Sequence, residues 1–260
     1  MTGFLTGALH VLERNALVYR HIWRGSLFTS FLQPTLFLLA MGVGLGTLVD
    51  AGDGVFPGGV SFLHFLAPGL LAATCMQTAS FESSFSVIGK MTWARNYEAI
   101  TTTPLGVPAL VAGELAWIGV RLLTVATTFM LVLVTFGVPR TPLAILAVPA
   151  AVLTGLAFSA PILAFAATLD TPNRLNAVFR FGITPLFLFS GVFFPLTRLP
   201  EPLQRAAWAT PLFHGVELVR GLTLDSIDGM AWLWHTLYLV AMLLLGAFAA
   251  NSTFSRKLRR

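Results

Sequence analysis

The chain has 260 residues, of which 56% are hydrophobic and only 10% charged, against about 25% charged in a soluble domain. Its mean hydropathy of +0.80 leaves more apolar surface than one soluble core can hide. The net charge of +5 does not mark a nucleic-acid binder, because Lys and Arg stand at the ends of apolar runs, where they orient a protein in a membrane. A single cysteine, Cys75, excludes an internal disulfide and a thiolate metal cluster.

Residues 5–24 come first. Leu5, Leu9, Leu12, Ala16, Tyr19 and Trp23 recur at three- and four-residue steps and form one apolar stripe. His10, Arg14, His21 and Arg24 lie largely elsewhere. The pattern fits a helix lying in a membrane interface with its basic residues towards headgroups. A soluble amphipathic helix packed on a partner protein has the same pattern. No cleavable signal peptide is expected, because the first long apolar run starts near Leu27 and is too long for one.

A spanning helix needs about 20 mostly apolar residues. Six runs qualify: 27–49, 60–87, 107–138, 143–169, 177–194 and 230–250. The expected fold is therefore all-α and polytopic. Gly42 and Gly46 form a G-x-x-x-G pair that either allows close helix approach or reflects a glycine-rich run. Arg14, Arg20, Arg24, Lys90, Arg95, Arg174 and the basic tail all fall on one side of the six spans. The positive-inside bias then puts both termini in the cytoplasm.

Charges within the runs are informative. Glu82, Glu114 and Arg121 lie inside predicted spans, where a charge at mid-bilayer costs on the order of 2.5–3.5 kcal/mol and demands a partner. Glu114 and Arg121 are seven apart and share a face, but about 10 Å of rise separates them, too far for a direct pair. Buttressing of spans two and three is the larger expectation, and a role in passage or gating the smaller.

Two connecting segments remain. Residues 90–104, KMTWARNYEAITTTP, are too short to span and fit either an ordinary loop or a short docking helix that Pro104 stops. In residues 196–229, Pro200 and Pro202 start one short helix and Pro211 divides it from another. The expected form is a helical hairpin at or dipping into the outer leaflet, re-entrant rather than spanning.

Chemistry of other kinds is missing from the pattern. In SSFSVIGKM, Gly89–Lys90 is followed by Met91, and Ser84 stands where a P-loop glycine belongs. His214 and Glu217 lack the spacing and count of a metal site, and Glu217 can equally pair with Arg220. No catalytic set is evident, and no metal site or nucleic-acid partner is expected.

The segments FESSFSVIGKMTWARNYEAITTTPLGVPALVAGELAW (81–117) and SGVFFPLTRLPEPLQRAAWATPLFHGVELVRGL (190–222) resemble those of type-2 ABC exporter permeases. That group includes lipo-oligosaccharide, polysaccharide and drug export permeases. The resemblance covers nearly the whole chain and implies one transmembrane domain over 1–260. Within it, 1–25 would be the interfacial helix, 90–104 the coupling helix segment and 196–229 the outer hairpin. It implies a second permease subunit, identical or paralogous, and two cytoplasmic ABC ATPase subunits that bind the ATP and Mg, leaving this chain without a cofactor. Arg95, Tyr97 and Glu98 match the coupling helix that enters the ATPase groove. Phe187, Phe189, Phe193 and Phe194 become candidate contacts on the substrate path. The implied activity is export of an amphipathic or hydrophobic cargo, a lipid-linked glycan or a drug, across the inner membrane. An ATP-independent channel or secondary carrier is the alternative, although no repeated halves are evident. An integral-membrane enzyme is disfavoured.

Overall fold

The computed structural model describes residues 2–51, 56, 59–93, 97, 105–169, 171, 173–226 and 229–259. These are helical with short connections, and no strand occurs among them. Helix α1 (Thr2–Tyr19) turns through residues 20–22 into α2 (Trp23–Asp50), which carries Pro34 and widens to π-helix over Leu38–Leu45. Pro34 cannot donate to the helical ladder, and a π segment follows it within one turn. Helix α3 (Phe62–Ile88) continues as a π turn over Gly89–Trp93. Helix α4 is Val107–Thr135, and a 3₁₀ turn at Pro142–Leu146 leads into α5 (Ala147–Ala166). Helix α6 (residues 173–189) is built of Asn173–Val178, a π turn Phe179–Ile183 and Thr184–Phe189. Two short helices, α7 (Glu201–Trp208) and α8 (Pro211–Leu224), precede the long α9 (Ala231–Leu258).

Among the described residues, five helices are long and apolar enough to cross a membrane: Trp23–Asp50, Phe62–Thr92, Val107–Thr135, Pro142–Ala166 and Ala231–Leu258. The run predicted as a fifth span, 177–194, is shorter as a helix. It stops at Phe189 because Gly191 takes a left-handed φ of 79° and Pro195 follows. The 17 helical residues of α6 reach about 25 Å, just short of an average hydrocarbon core.

The main core lies where α3, α4, α5 and α8 meet, around Leu66, Leu71, Met76, Leu122, Phe129 and Val216. Cys75 is buried there as a small apolar filler. A second cluster closes the other end, where Val11, Ile88, Tyr97, Leu110, Leu163 and Phe254 pack together. Gly113 lets α1 lie against α4, since a Cβ there would meet Val11 and come 2.8 Å from the Ala8 carbonyl. The face of α1 seated on the bundle is Gly7, Val11 and Asn15, while Leu5 and Leu9 of the predicted stripe stay exposed. Of the glycine pair in α2, only Gly42 makes a close approach, because a Cβ would collide with Leu63 of α3. Pro200 and Pro211 bound the two short helices as their positions predict; Thr210 caps α8 by accepting from the Phe213 amide at 3.4 Å. The outer faces of α2 and α9 are apolar, with Phe28, Leu36 and Leu48 on one and Trp234, Leu245 and Phe248 on the other, all exposed.

Candidate functional site

Polar side chains that cannot face lipid cheaply gather in one cleft of about 440 Å³ between α2, α3, α4 and α6. Ser26, Ser30 and Gln33 line it from α2, and Thr74, Gln77 and Thr78 from α3. Each set recurs at three- and four-residue steps, so each helix turns one hydrophilic stripe inward. The remaining wall is apolar, with Phe37, Phe81, Phe129 and Phe187. A cleft with one polar and one aromatic wall, inside a bundle with a greasy exterior, can hold a molecule that is itself partly polar and partly apolar.

One end of the cleft carries a charge pair. Arg121 Nε donates to Glu82 Oε1 at 3.4 Å, and Arg121 Nη1 donates to the Tyr19 hydroxyl at 2.5 Å. The guanidinium also lies 4.3 Å from the Tyr19 ring centroid, a cation–π contact. Glu82 on α3 and Arg121 on α4 are thus tied to each other and to the end of α1. Glu114 is separate from Arg121 and has its own partners. It is 1% exposed, with Lys90 Nζ donating to its Oε2 at 2.6 Å and Arg14 Nη2 in an ion pair with its Oε1 at 3.5 Å. Three segments, α1, the α3–α4 connection and α4, therefore meet on one buried carboxylate.

Of the three residues matched to a coupling helix, Arg95 and Glu98 lie outside the described residues. Tyr97 is helical and fully buried, its ring 5.7 Å from that of Phe254 on α9. Burial, together with the Glu114 carboxylate, pushes its phenol well above the usual range. Tyr97 therefore anchors the connection to the bundle.

The four phenylalanines separate. Phe187 lines the cleft. Phe193 stands behind it, edge-to-face at 5.0 Å, and also meets Phe37 at 6.1 Å. Phe189 points outward, and Phe194 is half-buried away from the cleft lining. Gln33, Thr74, Gln77 and Thr78 were not singled out from the sequence. Their signal was the helical repeat of polar residues within α2 and α3.

At the opposite end of the bundle, Arg220 on α8 is 8% exposed. Its Nη1 donates to Glu217 at 2.8 Å, Nη2 to the Gly191 carbonyl at 2.7 Å and Nε to the Phe65 carbonyl at 3.3 Å. Beside it, His214 on α8 and His235 on α9 share a hydrogen bond between their Nδ1 atoms at 2.8 Å, and Tyr238 stacks on His214 at 3.9 Å. Burial and the neighbouring His235 hold the His214 imidazole down to about 4. No group of three or more metal-ligating side chains exists among the described residues.

One family profile, "ABC-2 type transporter", matches residues 8–224. The chain belongs to the ABC-2 type transporter family. It is similar to Nodulation protein J of Sinorhizobium fredii, 32% identical over 221 residues, which are 84% of this chain and 82% of that one. Nodulation protein J of Bradyrhizobium diazoefficiens is 30% identical over 250 residues, 96% of this chain and 93% of its own. The inner membrane transport permease YadH of Escherichia coli is 27% identical over 199 residues, 75% and 74% of the two chains. As a multi-pass permease of this family, the chain is a membrane component of a transporter.

Proposed function

We propose that this permease is the membrane-spanning half of an ATP-driven exporter that moves an amphipathic or hydrophobic cargo, a lipid-linked glycan or a drug, outward across the inner membrane. The observation that carries this reading is the cleft between α2, α3, α4 and α6, with its facing polar and aromatic walls. Residues 1–260 form one transmembrane domain, in which α6 completes six spans by tilting little or by drawing the bilayer thinner around it. Both termini are cytoplasmic, α1 lies in the interface over 1–25, and α7 with α8 (within 196–229) forms the outer re-entrant hairpin. Two such subunits pair through apolar faces of the bundle, and two ABC ATPases bind ATP and Mg below them.

The segment 90–104 docks on the ATPase through Arg95 and Glu98, while the buried Tyr97 anchors it to the bundle. Its Lys90 end is pinned to Glu114, so a push on the segment reaches α4 and, through Arg14, α1. In this reading Glu82 and Arg121 brace the inner end of the cleft and Phe187, backed by Phe193, forms its aromatic wall; Phe189 and Phe194 take the remaining outer contacts.

Co-expression with a P-loop ATPase, purification and transport in vesicles test the proposal together. ATP-dependent cargo movement that Glu98→Arg abolishes, with the complex still assembled, is the expected result. Movement that persists without any ATPase would instead make the chain a channel or secondary carrier.

A further inference from the structure

A second cavity of about 440 Å³ lies at the end opposite Glu114, between the start of α3, the α6–α7 connection, α7 and α8. It shares no lining residue with the cleft. Three of its lining residues, Val60, Arg140 and Ser226, stand just before the spans that begin at Phe62, Pro142 and Ala231. Trp232 and Trp234, both exposed, occupy the first turn of α9 at the same end. Exposed tryptophans gather where hydrocarbon gives way to headgroups. The cavity therefore lies at headgroup depth, where the molecules at hand are lipid heads.

Its charges have both signs and fixed places. Arg220 spends three of the five N–H groups of a guanidinium on Phe65, Gly191 and Glu217, and two are without a partner among the described residues. Arg140 is exposed at the rim, where its backbone amide donates to the Thr223 carbonyl of α8 at 2.9 Å and holds it in place. Glu217 gives one oxygen to Arg220, and its side chain is still 39% exposed. The Gln204 amide donates to the Leu199 carbonyl at 2.7 Å, which leaves its own carbonyl oxygen as an acceptor. Trp208 covers Phe213 with one face, at 5.4 Å, and is 56% exposed on the rest.

These groups discriminate between occupants. An alkyl chain would leave the guanidinium and the carboxylate without partners. A bare anion would use the arginines but would meet the Glu217 carboxylate and leave the indole unused. A quaternary ammonium would use the indole, but it has no N–H to give the Glu217 and Gln204 oxygens. A head that joins a phosphate to a primary ammonium uses every part. The phosphate accepts from Arg140 and from the free N–H groups of Arg220. The ammonium donates to Glu217 and Gln204 and lies over the open face of Trp208. We propose that this cavity holds the phosphoethanolamine head of a membrane phospholipid, bound as a resident lipid and not as cargo. Such a lipid ties the α4–α5 connection, through Arg140, to α7 and α8.

The test is native mass spectrometry of the permease, stripped of lipid in detergent and titrated with phosphatidylethanolamine, phosphatidylcholine or phosphatidylglycerol. Phosphatidylethanolamine is expected to bind about tenfold more tightly than either of the others. Arg140→Ala and Trp208→Ala should each weaken that binding roughly tenfold, about 1.4 kcal/mol, while thermal unfolding in phosphatidylcholine nanodiscs shows that both variants fold. Equal binding of the three lipids overturns the proposal, as does a preference for phosphatidylglycerol, which would mean that the phosphate alone is read. Phosphatidylethanolamine binding unchanged by both substitutions overturns it too. Glycerophosphoethanolamine has the same head and no acyl chains, and competition by it at the concentration of the lipid would replace a membrane lipid with a soluble zwitterion. Transport is measured separately in the complete exporter. A permease that binds the lipid but never exports keeps this site and loses the export reading; one that exports without binding it does the reverse.

Discussion

Glu114 and Arg220 are both charges buried at an end of the bundle, yet their partners differ in kind. Glu114 is held by Lys90 and Arg14, two side chains from segments that flank the span. Arg220 is held by one carboxylate on its own helix and by two backbone carbonyls, one on α3 and one just beyond α6. Flexible side chains can part and pair again while the helices stay whole. Carbonyl partners are released only by moving the backbone. The Glu114 end is thus built to transmit a displacement of the connecting segment, and the Arg220 end to hold three elements in register.

Removing each centre tests that contrast. Arg220→Ala removes the charged hydrogen bonds to Glu217 and two carbonyls, and a loss of about 3 kcal/mol is expected from bonds worth about 1.5–3 kcal/mol each, read as thermal unfolding in nanodiscs; a loss below about 1 kcal/mol would mean that α8 is not locked through this residue. Arg121→Ala comes next. Its side chain is 11% exposed and Glu82 21%, so the lost charged hydrogen bonds are worth about 1.5–3 kcal/mol. The exposed Arg140→Ala should stay within about 0.5 kcal/mol, and equal losses at the two sites would contradict the depths assigned to them.

Acid acts on the Arg220 end more gently. His214 titrates near 4 in the folded protein against 6.5 for a free imidazole. Between those values the unfolded chain binds more protons than the folded one, so stability rises with pH through this window, is complete above it and is lost as pH falls through it. Burial and the neighbouring His235 hold the value down, while the hydrogen bond to the Trp208 carbonyl works against them. His214→Gln should flatten the stability profile between pH 4 and 6.5, and an unchanged slope would move the titrating group elsewhere. Arg14→Ala, which breaks the pair with Glu114, is expected to cost less than Arg121→Ala. That pair is 3.5 Å long and about a third exposed on the arginine side, so the cost is at most about 1 kcal/mol, because Glu114 keeps Lys90.

Particular residues show how far sequence reasoning reached. The starts of α7 and α8 were legible because proline acts locally on its own turn. The Glu217–Arg220 pair was legible because three residues on a helix bring side chains together. The depth of Arg121 was legible too, but its partner was not, since Glu82 and Tyr19 lie on other helices. The pairing of His214 with His235 was hidden for the same reason, and so was the burial of Tyr97 against Phe254. The run 177–194 misled in length, because apolar residues continue past Phe189 after the backbone has left the helix at Gly191.

By itself the sequence determined that this protein lives in a membrane as a set of apolar helices, and roughly where each begins and ends. Transfer from water to hydrocarbon is a sum over neighbouring residues, so it can be read along the chain. The tertiary structure decided which buried charges meet, which polar stripes face one another across the cleft, and which aromatic rings line it. Those outcomes depend on how each helix is rotated and how closely it packs, and both are set by residues distant in the chain.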